Sequence, residues 1–579
     1  MDYLRIPVLN PQFNIQNWET SLGAYFDGPE LLSAFRYGWD LSLSYEPRPK
    51  DAKSNLPSIF KAPQDVDRYI ANELAFGAII GPLEARDLPF KIYHNPIGLV
   101  EKKSSATMRT IVDGTQRGLG INAAIPANLH RGQYWRLTLP TTATIVDRIA
   151  KTRRQYPGLQ IKMWKGDYSR YYRNFAIDPG QIPFLAIQKD GKSYLDCAFG
   201  FGNRGATNCA QRTSWAVCHI YNTKIPPFPG TYNSGYACVC PHHCDCGDNS
   251  TVCYIDDTIG LSPSPIAEYQ YQAFVDLIHF LGLTLSETPG HLCPPSTRCI
   301  ALGITFDLEA NTVSLPEDKQ QEYLTLLQNW TQRTRASERE LNSLSGKLLY
   351  AARVIRPGRI WLNRVLRTRN RAARHTVPII LDSSFAADIR WWLQSLVASN
   401  GISFLEPHHT VEVSLDASST GWFNRRPGLA GYNHSLDEYF ACSPPPELQD
   451  WPICDLELVT HLLAIRLWGH QWAGIHILGH TDNTSCEELL TRGRSQVDRR
   501  LRMARTFSTL QLDTNCIWDS SWVPTKDNVL ADALSRLGQP GAMQLFNGVC
   551  TALGTNPTRR NIPISYFEFE PDLHHLHPR

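Results

Sequence analysis

The chain has 579 residues, more than one hydrophobic core can serve, so three or four domains or subdomains are expected. Hydrophobic residues make up 42% and charged residues 19%, which excludes the disordered and fibrous classes and leaves a globular protein. The net charge of +2 supplies no global field to gather a polyanion, so any nucleic-acid surface has to come from local clustering.

The N-terminal MDYLRIPVLNPQ lacks a basic stretch followed by an apolar one, so no secretory signal is expected. No apolar run approaches the roughly 18 residues of a membrane span. Residues 1–70 are mixed and proline-rich, with an exposed turn region at YEPRPKDAKSNLP. Helical spacing runs over 65–80, and Gly81-Pro82 is expected to stop it. NPIGLVEKK and MRTIVDG read as two short strands joined by the polar turn SSAT. A threonine-capped helix is expected over 141–157, then a strand, LQIKMWKGDYS, ending at Asp167. FLAIQKDGKSYLDCAF reads as a hairpin around Lys189-Asp190-Gly191. GATNCAQRTSWAVCHIYN is helical, and TVCYIDDTIGL is β-rich with Asp256-Asp257 at a tight turn. IAEYQYQAFVDLIHFLGL is a helix with one apolar face, and CIALGITFDLEANTVSL is another hairpin. Residues 316–401 are almost wholly helical. From VEVSLDAS onward strands and helices alternate, which argues for a separate α/β domain. The tail from Gln539 has no clear pattern. The 15 cysteines are expected as mostly reduced thiols of an intracellular protein, in cytoplasm or nucleus.

Asp256 and Asp257 pose an electrostatic question. At an effective dielectric near 20, two unit charges ~4 Å apart repel by about 4 kcal/mol. A bound cation removes that cost, and so does exposure at a turn tip. Asp167 ends another strand, and strand ends and hairpin tips of one sheet can converge. Three carboxylates together suit hard cations, and two Mg²⁺ about 3.5–4 Å apart clamp both oxygens of an in-line phosphoryl displacement. The bland reading is an exposed Asp-Asp turn plus an unrelated strand-end Asp.

The surroundings favour the first reading. KGDYSRYYRNFAI places Tyr172 five residues after Asp167, FGFGNRGATNCAQ opens a helix with Gly202 and Gly205, and YIDD, LGLTLSE and ALGITFD follow in order. With YGWDLSL, VDRYIANELAFGAIIGP, NPIGLVEKK and MRTIVDG before them, and LNSLSGKLLYAARVIRPGRIWLNRVL after, this set resembles the reverse transcriptases of DIRS-like retrotransposons, the group with a tyrosine recombinase. The resemblance covers roughly residues 35 to 540. It implies an α+β right-hand polymerase (fingers, palm, thumb) followed by an α/β ribonuclease H-like domain. The corresponding divisions are an N-terminal extension at 1–70, fingers and palm at 71–315 with a Cys/His insertion at 236–253, a helical thumb and connection at 316–405, the ribonuclease H-like domain at 408–540, and a tail at 541–579.

By that resemblance Asp167, Asp256 and Asp257 hold two Mg²⁺, with Mn²⁺ as a substitute. Tyr172 is the plate against which the nucleotide sugar packs. Lys102 and Arg109 hold the incoming triphosphate, and Gly202, Arg204 and Gly205 border the nucleotide and template. A lysine common after LGLTL in the family is missing, and His291 and Arg298 are the candidates for its role. Asp416 on a strand, Glu457 on a helix, Asp482 at a strand end and Asp532 on a last helix resemble the acids of ribonuclease H, which gather two further Mg²⁺ to activate water. Asp455 competes with Glu457, whose helix register fits better. Lys526 stands near the place of a histidine found in many relatives. The implied partners are an RNA template, a DNA primer, the RNA–DNA hybrid and deoxynucleoside triphosphates, with a recombinase or other element proteins on separate chains.

Two stretches stand outside the acid sets. Cys238, Cys240, His242, His243, Cys244, Cys246 and Cys253 lie within sixteen residues. Cys240, His243, Cys244 and Cys246 are a candidate Zn²⁺ set, against the bland reading of a loop with free or disulfide-linked thiols. Residues 351–375 hold eight arginines and no acid, with Arg353, Arg356, Arg359, Arg364 and Arg367 as candidate duplex contacts. Their bland reading is a solvated helix face. The alternative to an enzyme is a decayed or domesticated element copy that only binds nucleic acid. Its signature is loss of a carboxylate, and all seven are present.

Overall fold

The computed structural model describes residues 14–45, 54–101, 108–224, 251–355, 358–404 and 410–569, apart from positions 119, 127–128, 131–132, 135–136, 399, 474, 494, 496 and 515. The chain forms two compact units. One holds residues 1–302 and 306–309, the other 303–305 and 310–579. Among the described residues no helix is long and apolar enough to cross a membrane.

The first unit is organised on a four-stranded antiparallel sheet. Its central strand Ile161–Asp167 lies between Asp257–Pro263 and Cys293–Ser296, and Thr251–Tyr254 forms the other edge. Glycine sets how closely this sheet is covered. A Cβ on Gly260 would lie 2.0 Å from the Trp164 ring, and one on Gly166 would lie 2.4 Å from Phe274. The helix Ala267–Phe280 can therefore bring Phe274 onto Trp164, with ring centroids 4.9 Å apart. On Ala206–Lys224, thirteen of nineteen residues are buried, including Gln211, Arg212 and Ser214, so this helix reads as core on all sides.

Two local readings resolve differently. The helix expected over 65–80 ends earlier: it spans Pro63–Phe76 and closes on Gly77 in the left-handed region, whose N–H reaches the Glu73 and Leu74 carbonyls. Residues Ile79–Leu83, with Gly81-Pro82 inside, are instead a strand paired with Lys192–Asp196. The hairpin Ala186–Lys189 to Lys192–Asp196 turns through Asp190 and Gly191, both at positive φ, as a two-residue Asp-Gly turn requires.

The second unit begins with helices Glu317–Thr331, Glu338–Ala351, Asn363–Ala372 and Ser383–Ala398. Ser337 and Glu340 form a reciprocal capping box at the second of these. A six-stranded sheet follows. Thr410–Ser418 lies at its centre, antiparallel to Gly428–Asn433 and parallel to His476–Thr481, with Glu438–Cys442 and Ile517–Trp522 outside them. The helix Ile453–Trp468 packs on this sheet, as does Val529–Ser535. The patternless tail is structured in part: Ala542–Leu553 is a helix against Val529–Ser535, and Thr558–Arg559 adds a sixth, parallel strand beside Glu438–Cys442.

Buried ion pairs tie distant segments of the first unit together. Asp27 and Arg212, both with fully buried side chains, meet through two hydrogen bonds of 2.6 and 2.9 Å. Removing one partner leaves the other charge uncompensated, which typically costs about 3–5 kcal/mol. Asp27→Ala is expected to lower stability by that amount. Asp27→Leu combined with Arg212→Met should recover most of it. Urea unfolding followed by tryptophan fluorescence measures both, and a loss below about 1 kcal/mol in the single variant would refute the assignment.

Candidate active sites: two clusters of carboxylates

The first cluster sits at one end of the four-stranded sheet. Asp167 and Asp257 are direct cross-strand partners, and Asp256 precedes Asp257 in the turn. The Asp256 carbonyl accepts a hydrogen bond of 3.0 Å from the Tyr168 N–H. The turn is held in an unfavourable shape. Ile255, a β-branched residue, lies at φ +55°, a conformation that such side chains rarely adopt. Gln211 and Ser214 of the buried helix impose it. Gln211 Oε1 accepts from the Ile255 N–H at 2.6 Å, its Nε2 donates to the Cys253 carbonyl at 3.0 Å, and the Ser214 hydroxyl donates to the Ile255 carbonyl.

Burial is the largest influence raising all three carboxyls. Asp167 is pushed up to about 7 by burial and then by Asp256 and Asp257, with Lys165 opposing. Asp256 is raised by burial and then Asp257. Asp257 is raised by burial, against the pull of Lys165 and His291. A lysine and a histidine stand close. Lys165 Nζ is 3.4 Å from Asp257 Oδ1, and His291 Nδ1 is 2.9 Å from Asp167 Oδ2. Asp257 Oδ1 is buried and accepts no hydrogen bond. A buried carboxylate oxygen that faces the Lys165 ammonium at 3.4 Å, among other carboxylate oxygens, fits a hard cation.

The second cluster is tighter. Among the described residues, Asp416, Glu457 and Asp482 are the group of three whose ligand atoms all lie within 4.8 Å of one another. Asp167, Asp256 and Asp257 are electrostatically coupled but not drawn so close, and Lys165 and His291 each draw on one of them. Asp416 comes from the central strand, Glu457 from helix Ile453–Trp468, and Asp482 from the residue after strand His476–Thr481. Glu457 accepts from the Ala417 N–H at 3.1 Å and the Thr481 hydroxyl at 3.3 Å. The Ser535 hydroxyl donates to Asp416 at 2.5 Å, and Thr525 donates to Asp482 at 2.7 Å.

Burial pushes Asp416 up to about 7, opposed by the Ser535 hydrogen bond and reinforced by Asp482 and Asp532. Glu457 is also raised, first by burial, then by Asp416 and Asp482. Asp532, on helix Val529–Ser535, acts on Asp416 but stands outside the group of three, its Oδ1 held by Arg536 at 2.7 Å. Asp455 faces a different set of partners: it is fully buried between Arg499 and Arg500. Lys526 is exposed in the turn that supplies Thr525.

The other singled-out residues fall unevenly. Tyr172 is half-buried, its ring edge-on to Phe201 at 5.5 Å and its hydroxyl 3.4 Å from Thr207. The Arg109 guanidinium lies 4.7 Å from the centre of the same Phe201 ring. Gly202, at φ +111°, admits no side chain, because a Cβ would lie 2.3 Å from the Val112 carbonyl oxygen. Gly205 is also at positive φ, and the Arg204 N–H donates to Asn122 Oδ1 at 2.9 Å. Arg353 lies over the Tyr350 ring, and Arg359 is exposed. Arg364 and Arg367 pair with Asp388 and Asp498. Arg298 is exposed on strand Arg298–Ala301. Lys102, Arg356 and the candidate zinc set Cys240, His243, Cys244 and Cys246 lie outside the described residues, as do Cys238 and His242. Cys253 is a buried strand residue.

Sequence reasoning missed Lys165, Gln211, Ser214, Phe201, Asn122 and Ser535. Lys165, Phe201, Gln211 and Ser535 lie inside KGDYSRYYRNFAI, FGFGNRGATNCAQ and NVLADALSR, and Ser214 lies in the helix GATNCAQRTSWAVCHIYN. None of the six carries a local signal for its role, because the partners are remote in the chain.

No model of a known protein family matches the chain, and no curated protein matches it. Among solved structures it is similar to a foamy viral protease-reverse transcriptase in complex with double-stranded DNA, at 12% identity and TM-score 0.47, covering 88% of this chain and 98% of that one. It is similar to the same kind of protein in complex with an RNA/DNA hybrid at 14% identity and TM-score 0.46, covering 88% of this chain and 63% of that one. These similarities assign no role to any residue of the present chain.

Asp167 and Asp416, both near 7, titrate well above the ~3.9 of an unfolded aspartate. A folded-state value that is raised favours the protonated fold. The stability it contributes is complete below about pH 4 and is lost as pH rises through about 7. Divalent cations bind the ionised form, so the rise in Tm on adding Mg²⁺ or Mn²⁺ should be several degrees larger at pH 8 than at pH 5.5. Asp416→Asn should remove a substantial part of that difference. Differential scanning fluorimetry measures it, and an equal rise at both pH values would count against cation binding.

Proposed function

We propose that this chain is an RNA-directed DNA polymerase with an attached ribonuclease H, from a retroelement of the DIRS-like kind. The observation that carries this reading is the convergence of acids far apart in sequence onto two sites, Asp167 with Asp256 and Asp257, and Asp416 with Glu457 and Asp482. Both sets offer hard oxygen donors, and burial with neighbouring acids raises Asp167, Asp256, Asp416 and Glu457, so the sets fit divalent cations. Bound Mg²⁺ supplies the charge that activates a primer hydroxyl or a water and steadies the leaving oxygen.

The chain's own residues do the rest. In the first site Asp167, Asp256 and Asp257 hold the cations. Tyr172, braced by Phe201, bounds the sugar, and Arg109 reaches toward the triphosphate. Gly202 and Gly205 let the backbone approach the base pair. In the second, Asp416, Glu457 and Asp482 form the cradle, with Asp532 beside it on Arg536. Ser535 and Thr525 orient two of the carboxylates. The RNA strand of a hybrid is the substrate there. The arginines of 351–375 are the proposed duplex contacts. Cys240, His243, Cys244 and Cys246 of the cysteine-rich insertion are the proposed Zn²⁺ ligands.

Two reactions test this reading. The wild type is expected to extend oligo(dT) on poly(rA) with Mg²⁺, and Asp256→Asn to lose more than ~100-fold, the upper end for residues one shell further out. Glu457→Gln is expected to abolish cleavage of RNA in a hybrid while leaving extension within about twofold, because its carboxylate belongs to the second cluster. Absent extension by the wild type would sink the polymerase reading, and full extension by Asp256→Asn would sink its site.

A further inference from the structure

A cavity of about 330 Å³ in the second unit lies between helices Asn363–Ala372, Ser383–Ala398 and Asp498–Thr514. Five arginines line it. Arg364, Arg367 and Arg371 come from one face of the first helix, at spacings of three and four, and Arg502 and Arg505 come from one face of the third. Two arginine stripes facing each other repel, so something must hold them together. The inner pair is fixed by one acid: Asp388, fully buried, takes Arg364 on Oδ1 at 2.9 Å and Arg505 on Oδ2 at 2.8 Å. Arg367, Arg371 and Arg502 form an exposed rim, Arg367 meeting Asp498 at 3.2 Å and Arg371 donating to the Ile380 carbonyl at 3.1 Å. Asp382 also lines the cavity, with one oxygen capping the Phe385 N–H. Against Asp382, Asp388 and Asp498, the five arginines leave an excess of positive charge.

The geometry points to a phosphate-binding site in this cavity, distinct from both carboxylate clusters. Its volume is at the lower end for ligand pockets, too small for a duplex and ample for one or two phosphate groups. Guanidinium forks match phosphate oxygens in pairs, and a pair fixed by Asp388 loses little freedom on binding. The phosphate can belong to a free polyphosphate or to the backbone of a bound strand. Only the second source rests on the polymerase reading.

The test uses the full chain. Isothermal titration calorimetry with sodium tripolyphosphate at fixed ionic strength compares the wild type, Arg371→Ala with Arg502→Ala, and Arg390→Ala, an exposed arginine of the middle helix away from the cavity. The double variant is expected to bind about a hundredfold more weakly, roughly tenfold per charge-assisted contact, and Arg390→Ala to bind as the wild type does. Arg371→Lys with Arg502→Lys, which keeps the charge and loses the fork, should lie between, and it carries the comparison if the alanine pair unfolds. Binding of a short RNA–DNA hybrid across salt concentrations then separates the sources. A log–log slope shallower by about 2 in the double variant identifies backbone phosphates, and an unchanged slope identifies a free polyphosphate. No tripolyphosphate binding by the wild type, or equal weakening by Arg390→Ala, overturns the site. Neither result touches primer extension, so the two readings fail separately.

Discussion

Repulsion between buried carboxylates is the constraint around which both units are built. A sheet end that gathers Asp167, Asp256 and Asp257, and a second that gathers Asp416, Glu457 and Asp482, are unfavourable places for negative charge. The surrounding residues answer that cost differently. In the first site basic side chains stand close, Lys165 at Asp257 and His291 at Asp167. In the second, neutral donors such as Ser535, Thr525, Thr481 and the Ala417 N–H take most of the oxygens, and Arg536 holds only the outlying Asp532. The looser first group and the tighter second one follow from that difference. A lysine or histidine competes with a metal for the same oxygens, whereas a hydroxyl orients a carboxylate and leaves its charge in place.

Rigid packing behind the sites makes such placement hold. Trp164 lies flat over Gly260 and Phe274 fits over Gly166, which locks the strand carrying Asp167 to its neighbours. The helix Ala206–Lys224 is buried on nearly every side, and its Gln211 and Ser214 pin Ile255 in a strained conformation. That strain lies one residue from Asp256, and without those hydrogen bonds the turn would relax. Asp27 and Arg212 anchor the same helix from the far side of the chain. The placement of the acid turn thus depends on residues that never touch a substrate.

The arginines show how charge that is segregated in sequence is redistributed in space. Residues 351–375 contain no acid, yet Arg364 is bound by Asp388 and Arg367 by Asp498, both supplied by other helices. Part of the basic run is therefore structural, bracing helix Asn363–Ala372 against its neighbours. Arg367 and Arg371, joined by Arg502 from more than a hundred residues away, form the rim of a cavity instead of a flat stripe.

Much of this molecule was legible in its residue pattern. The alternation of apolar and polar residues located the strands ending at Asp167 and containing Asp416, the Asp190-Gly191 hairpin turn, and the helices carrying Glu457 and Asp532, because these signals are local and repeat within a few residues. The helix stop at Gly77 was read too late, since a proline in the following strand looks like a breaker. The helix Ala542–Leu553 went unread, its glycine and polar residues hiding a face that packs on Val529–Ser535 and on the sheet residues Tyr432 and Tyr439. The sequence by itself determined which acids exist, on what kind of element each stands, and in what order they come. Only the tertiary structure decided which of them meet, that Asp455 turns to two arginines while Glu457 joins the cradle, and that Lys165, Gln211 and Ser535 serve the sites. Those outcomes depend on contacts between residues tens to a hundred positions apart, and no periodicity along the chain encodes a distance across it.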